Sequence, residues 1–331
     1  MDGSGQDSAE GRADKRAEKR AGKRADRRAR KRSDVPAGAP AGERAGGAAE
    51  AFARTHGRLC WVFEKRLLFV VGATRWGTAW VQNCLDAHPN VLAKGEGHFS
   101  DMLFPLLARA FDGYNTEAEK IGNRMQLAGL PGNAAGFTFD DVDHLLATAV
   151  GLIYARWLGD GDGITCIAEK TPEHVLSLDL LDRMFPEMGV VHVIRDGRDE
   201  AVSAWDFNIG ISRGEFPRKY PTFAAFAETF ARNWSRSVGA ARRFGRNNRL
   251  RYFQIRCEDL LAEPDPNVRR LFRFAHVPDD PGLVRDAMTQ AWRQVPLDLD
   301  PGVWKDAFDR NARRAFRRQC GELLKLLEYD S

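Results

Sequence analysis

The amino-acid sequence predicts an α/β fold, a parallel sheet of about four to five strands with helices on both faces. Three observations predict it. From residue 67 onward, short runs rich in Leu, Ile, Val and Phe alternate with longer segments of helical period. Four of these runs, 67–72, 164–169, 189–194 and 250–256, are apolar almost throughout, as suits strands buried on both faces. The first and third lead straight into glycine-bearing turns followed by helical segments, the order that builds a ligand crevice at strand C-termini.

The chain has 331 residues, and its start is unlike the rest. The first fifty residues carry 13 Lys or Arg and 9 Asp or Glu, with Val35 the one large apolar side chain after Met1. Such a composition cannot bury a core, so 1–54 is read as a disordered basic tail and 55–331 as the folded domain. From residue 51 the charges balance, and the net +4 belongs to the tail. Contact of the tail with nucleic acid or an anionic membrane is weighed against a solubilising extension, and the latter is favoured. The tail lacks the apolar centre of a signal peptide, and its acidic residues argue against a transit sequence. No apolar run approaches the ~18 residues of a membrane span, the longest being 145–155. Five cysteines without C-x-x-C spacing suggest a reduced, cytoplasmic protein with no metal site.

In chain order, the strand at 67–72 leads through a turn to a helix at 78–87 opening on Thr78, and a further helix is expected at 99–111. Residues 112–138, rich in Gly and Asn, read as a mobile excursion before a helix at 139–158. Beyond the second and third strands lie helices at 174–184 and 198–208, and a second excursion covers 207–221, interrupted by Gly210, Gly214, Pro217 and Pro221. In the helix at 222–245, Phe223, Phe226, Phe230, Trp234 and Val238 recur at helical spacing and read as core. The last strand is followed by helices at 267–275 and 309–328.

Two segments point to anionic ligands. Gly72 and Gly77 have the separation of a Walker A loop, which makes the turn P-loop-like, but Thr78 replaces the lysine and Ala79 the magnesium-binding hydroxyl. The cation of this loop is Arg75, inside a turn whose backbone N–H groups and helix dipole face an anion. In the second segment Arg195 ends a strand and Ser203 follows eight residues later, about two helical turns on, so both could grip one phosphate. The pattern Arg75-Trp76-Gly77-Thr78-Ala79-Trp80 resembles the 5′-phosphosulfate loop of sulfotransferases, and Arg195 to Ser203 resembles their 3′-phosphate motif. The likeness runs from about Leu67 to Glu263. It includes Gly95-Glu96-Gly97-His98-Phe99, Glu169-Lys170-Thr171-Pro172 and Cys257-Glu258-Asp259-Leu260.

That resemblance implies a donor, 3′-phosphoadenosine 5′-phosphosulfate (PAPS), with 3′-phosphoadenosine 5′-phosphate (PAP) as product and no metal. It implies that Arg75 neutralises the 5′-phosphate, with backbone bonds from Gly77, Thr78 and Ala79, and that Trp76 and Trp80 belong to the donor loop. Trp80 is equally consistent with inner-face packing. Lys170 is implied to stabilise the transferring group, against the alternative of a surface lysine paired with Glu169. Glu96, close after the loop, resembles the general base of the glycan and tyrosyl-protein branch, with His98 the runner-up. Arg195 and Ser203 are implied to hold the 3′-phosphate, while Arg198 and Asp199 are read as an internal pair closing the turn. Cys257 stands where the family often has Tyr, and no C-terminal Arg-Lys-Gly is present, which leaves Trp304 and Lys305 as substitutes.

The expected activity is sulfuryl transfer from PAPS to a hydroxyl, in preference to an amine, of a small-molecule, lipid or saccharide acceptor. The Arg- and Ala-rich composition suggests a bacterial enzyme, and a homodimer is left open. The rival readings are a P-loop phosphotransferase, which magnesium dependence would reveal, and a nucleic-acid-binding protein led by the tail, which steep salt dependence would reveal.

Overall fold

The computed structural model describes residues 41–73, 75–132, 135–159, 161, 163–294 and 301–329, apart from the side chains of 41–46, 75 and 76. The chain divides by its contacts into two units, Met1–Arg54 and Thr55–Ser331. The second holds one sheet of five parallel strands: β1 Arg66–Gly72, β2 Val91–Gly95, β3 Cys166–Lys170, β4 Gly189–Ile194 and β5 Tyr252–Arg256. The spatial order is β2-β3-β1-β4-β5, so β1 is central.

The apolarity of β1 follows from this place. Successive side chains of a strand point to opposite faces. Leu68 and Val70 join Trp80, Leu85 and Phe272 on one face, while Leu67, Phe69 and Val71 join Leu146, Val150 and Tyr154 on the other. Each large side chain buried this way contributes about 1.5–3 kcal/mol, and a polar residue on either face of β1 would forfeit that. A third cluster, around Trp234, Phe308 and Phe316, forms where the helix Phe223–Asn247 meets Arg310–Leu326. Trp234 and Val238 of the aromatic stripe are buried there, as core.

Helix starts follow local chemistry. The helix Phe139–Leu158 opens on a capping box, in which Thr138 Oγ1 accepts from Asp141 N and Asp141 accepts from Thr138 N. Thr222 caps Phe223–Asn247 by accepting from Ala225 N.

Several segments differ from the sequence reading. The fifth strand, β2, was not among the expected runs, because it is short, half of it faces outward, and it ends in Lys94-Gly95. Residues 112–127 are not an excursion but the continuation of the helix Phe104–Leu127. That stretch lies on the surface, where good helix formers such as Glu117, Ala118, Glu119 and Lys120 sustain a helix without an apolar stripe. In 207–221 the preceding helix runs on to Ile211, and a short helix, Glu215–Lys219, follows. Rings of Trp205, Phe216, Tyr220 and Phe226 fold this return into an aromatic knot, with centroids 5.2–5.6 Å apart. Helices Ala41–Phe63 and Pro281–Gln294 were likewise unforeseen, and the first begins inside the expected tail.

Candidate active site

All five strands run parallel, so their C-terminal ends share one edge of the sheet. The loop after β1, Glu96 after β2, Lys170 at the end of β3, Arg195 after β4 and Cys257 after β5 meet there. Residues as far apart in sequence as Ala73 and Cys257 are thereby gathered along that edge.

The helix after β1 starts at Arg75, earlier than the sequence suggested, which puts Gly77 in its first turn. Backbone N–H groups of a first turn have no intrahelical acceptor and face outward along the dipole. Gly77 admits no side chain, because a Cβ there would collide with Cys257 Sγ and come within 2.9 Å of Val193 Cγ1. The small Cys257 is therefore a packing partner of the loop, and burial drives its thiol pKa well above the ordinary value. Thr78 is buried and Ala79 half-buried on the same helix. The side chains of Arg75 and Trp76 lie outside the described residues. Trp80 turns away from the loop: it is fully buried and meets Trp292 edge-on at 5.4 Å, so it packs the core and offers no surface to a ligand.

Lys170 donates to Glu96 Oε1 at 2.5 Å, joining the ends of β3 and β2. The second oxygen of Glu96 lies 3.4 Å from His98 Nε2. The alternative pairing of Lys170 with Glu169 does not occur, because neighbouring residues of a strand face opposite ways. Glu169 is instead fully buried on the other face, where its Oε1 accepts from Gly97 N at 2.7 Å and from Thr171 Oγ1 at 2.5 Å. Its Oε2 lies 3.2 Å from His174 Nε2, and His174 Nδ1 is bonded to Ser100 Oγ at 2.7 Å. Glu169 thus ties down the turn that carries Glu96. His98 stands in left-handed backbone geometry, with Nδ1 2.9 Å from Asp101 Oδ2. That hydrogen bond, ahead of the nearby carboxylates, raises the His98 pKa.

Arg195 is 6 % exposed, yet its Nη1 is buried without a hydrogen-bond partner among the described residues. A buried guanidinium nitrogen left unbonded is costly, and an anion at the strand ends would satisfy it. Ser203 lies half-buried on the second turn of the helix Gly197–Ile211. Arg198 and Asp199 do not pair with each other, which corrects the expected internal pair. Arg198 makes a bidentate bond to Asp196, with its Nη2 2.7 Å from Oδ2. Asp199 reaches across the fold and accepts from Gly302 N at 2.8 Å and Trp304 N at 3.0 Å. Burial outweighs these bonds and raises the Asp199 pKa. The Trp304 ring is buried, with the guanidinium groups of Arg198 and Arg313 over it at 3.9 and 5.1 Å. Lys305 is exposed.

A family model described as "Sulfotransferase family" matches residues 68–281, well over half of the chain. The chain belongs to the sulfotransferase family. Its match begins inside β1 and includes the Gly77 turn, the Glu96–Lys170 pair and Arg195. Among curated proteins it is similar to protein-tyrosine sulfotransferase A of Caenorhabditis elegans, at 24% identity over 216 residues, 64% of this chain and 50% of that protein. The chain therefore spans about half the length of that relative. Among solved structures it is similar to sulfotransferase STF9 of Mycobacterium avium, at 17% identity and a TM-score of 0.48, covering 84% of this chain and 80% of the other. It is also similar to STF1 of Mycobacterium tuberculosis, at 18% identity and a TM-score of 0.45, covering 81% and 80%.

Several residues that fasten this sulfotransferase site were given no such role by sequence reasoning, although Glu169 and Glu258 stand in the motifs quoted above. Glu258 accepts from Asp196 N at 2.9 Å and from Tyr329 OH at 2.9 Å, fastening the end of β4 to the C-terminal segment. Burial, more than its hydrogen bonds offset, raises the Glu258 pKa. Glu169 and His174 belong to the same class. Apart from the local contacts of Glu169 with Thr171 and His174, their partners lie far away in sequence, and no local spacing signals those.

Proposed function

We propose that this sulfotransferase moves a sulfuryl group from PAPS to a hydroxyl, in preference to an amine, with Glu96 as general base. The observation that carries the reading is the Lys170–Glu96 pair at the ends of β3 and β2. It sets a cation for the developing charge beside a carboxylate for the acceptor's proton. When bound, PAPS supplies the activated sulfuryl group, and its transfer in line builds negative charge on the departing phosphate. Lys170 and Arg75 meet that charge, with the first-turn N–H of Gly77 and the Thr78 hydroxyl. Arg195 and Ser203 hold the 3′-phosphate, and the unpartnered Arg195 Nη1 supports this fit. In the resting site Lys170 is bonded to Glu96 Oε1; released from that bond, Glu96 Oε1 would take the proton of the acceptor hydroxyl.

Small-molecule, lipid and saccharide hydroxyls are the acceptors we favour, and the likeness to a protein-tyrosine sulfotransferase adds the tyrosine hydroxyl. We take Thr55–Ser331 as the catalytic domain. The five cysteines are all unpaired and no helix of the described residues is long and apolar enough to cross a membrane, which supports a cytoplasmic enzyme. Two measurements test the reading. PAP should bind in calorimetry with chelator present, and a mass-spectrometric screen with PAPS should return acceptors heavier by one sulfuryl group. A magnesium requirement for nucleotide binding would favour phosphoryl transfer instead.

A further inference from the structure

A cavity of about 580 Å³ opens between the first turn of the helix Gly197–Ile211, the turn at Trp304 and the C-terminal helix Arg310–Leu326. Four cations line it, Arg198, Arg313, Arg317 and Lys325, and no carboxylate does among the described residues. Two of these charges have carboxylate partners, Arg198 with Asp196 and Lys325 with Glu322. Arg313 donates only to the carbonyl oxygens of Phe308 and Lys305, which neutralise nothing. Among the described ion pairs none involves Arg313 or Arg317, and both are exposed at the rim. The interior is apolar and aromatic, with Trp304, Phe316 and Tyr329 buried in its walls. A cavity of this volume suits a small organic molecule.

Gly321 lies inside the helix Arg310–Leu326 and lines the cavity. A Cβ there would meet only Arg317 Cγ, at an ordinary 3.5 Å, so the wall has room for a larger side chain. Glu96, Lys170, Arg195 and Ser203 do not line it, whereas Trp304, offered above as a donor-site substitute, does, so competition with PAP is the deciding comparison between the two sites.

We propose that this cavity is a second ligand site, which takes an organic anion with an apolar body. The body lies against Trp304 and Phe316, and the carboxylate or sulfate meets the guanidinium groups of Arg313 and Arg317 through charge-assisted bonds. The proposal does not depend on the donor reading, because direct binding decides it even if PAP fails to bind.

Calorimetry on the full chain tests it with 1-naphthyl sulfate and 1-naphthoate, which distinguish the two headgroups, and with neutral 1-naphthol and inorganic sulfate as controls. At least one anion should bind one-to-one, tenfold or more tightly than either control, and saturating PAP should not displace it. Arg317→Gln should weaken that binding at least fivefold. Gly321→Leu, which fills the cavity, should abolish it while leaving the affinity for PAP unchanged. Displacement by PAP would assign the probe to the donor site and overturn the proposal. So would equal binding of 1-naphthol, parent-like binding by a folded Gly321→Leu, or no binding of either anion at millimolar concentration. Should Gly321→Leu not fold, the exposed Arg317→Gln still decides.

Discussion

Lys170 Nζ and Glu96 Oε1 lie 2.5 Å apart, from strands that pair in register with Gly95 opposite Lys170. The register fixes their meeting. Gly95 has no side chain, and a Cβ there would come within 2.8 Å of Gln82 Oε1 and 3.1 Å of Lys170 Cε, so the lysine can cross only over a glycine. The two side chains are 9% and 22% exposed, buried enough for the pair to matter and open enough for a substrate to intervene.

Glu96→Gln should remove most turnover, about 10²–10⁴-fold as for loss of a general base, with PAP affinity nearly unchanged. His98→Ala should keep more activity than Glu96→Gln. The reverse order in steady-state rates would transfer the base to His98.

Lys170→Ala should lower kcat more than it lowers PAP affinity, as expected of a group that bonds most strongly to charge developing in the transition state. Rates and calorimetry on the same variant give the comparison. Equal losses would reduce Lys170 to a binding residue.

Arg195→Ala should weaken PAP binding by on the order of 2–4 kcal/mol, the cost of removing one partner from a charge-assisted pair. Ser203→Ala should cost less, since a neutral hydroxyl is lost. Parent-like PAP affinity in both variants would show that the 3′-phosphate binds elsewhere.

Gly77→Ala should destabilise the fold by about 1–3 kcal/mol through overpacking against Cys257 Sγ. Removing that sulfur in Gly77→Ala/Cys257→Ala should recover part of the loss. Val193 Cγ1, 2.9 Å from the added Cβ, prevents full recovery. Chemical denaturation of the four proteins in a double-mutant cycle measures the coupling, and an additive result would dissociate the two residues.

His98 should titrate above 6.5, because its bond to Asp101 and the neighbouring Glu96 favour the imidazolium. A raised folded-state pKa means that its contribution to stability is fully present below the unfolded value of 6.5 and is lost as pH rises through the folded value. An NMR titration should find the midpoint raised, and Asp101→Asn should lower it. A midpoint that does not move in Asp101→Asn would remove Asp101 as the cause.

The sequence by itself determined the α/β class, four of the five strands and the order of the chemical segments along the chain. Strands buried on both faces must be apolar almost throughout, and β1 and β4 carry that signature locally, while β3 ends in Glu169-Lys170 and the edge strand β5, with Gln254 and Arg256, is mostly half-buried. It also singled out Gly77, Lys170 and Arg195, because glycine-bearing turns and charged residues at strand ends are legible without partners; Glu96, after a strand the sequence did not reveal, was reached only through the family resemblance. Tertiary structure decided what those residues touch. Lys170 pairs with Glu96 and not with adjacent Glu169, since strand alternation sends neighbours to opposite faces. Trp80 faces Trp292 from a helix that local periodicity did not reveal. Asp199 holds the turn at Trp304, 105 residues away, and Glu258 holds Tyr329, 71 residues away. A hydrogen bond between such distant residues exists only once the sheet has set its strand order, and no spacing within the chain encodes it.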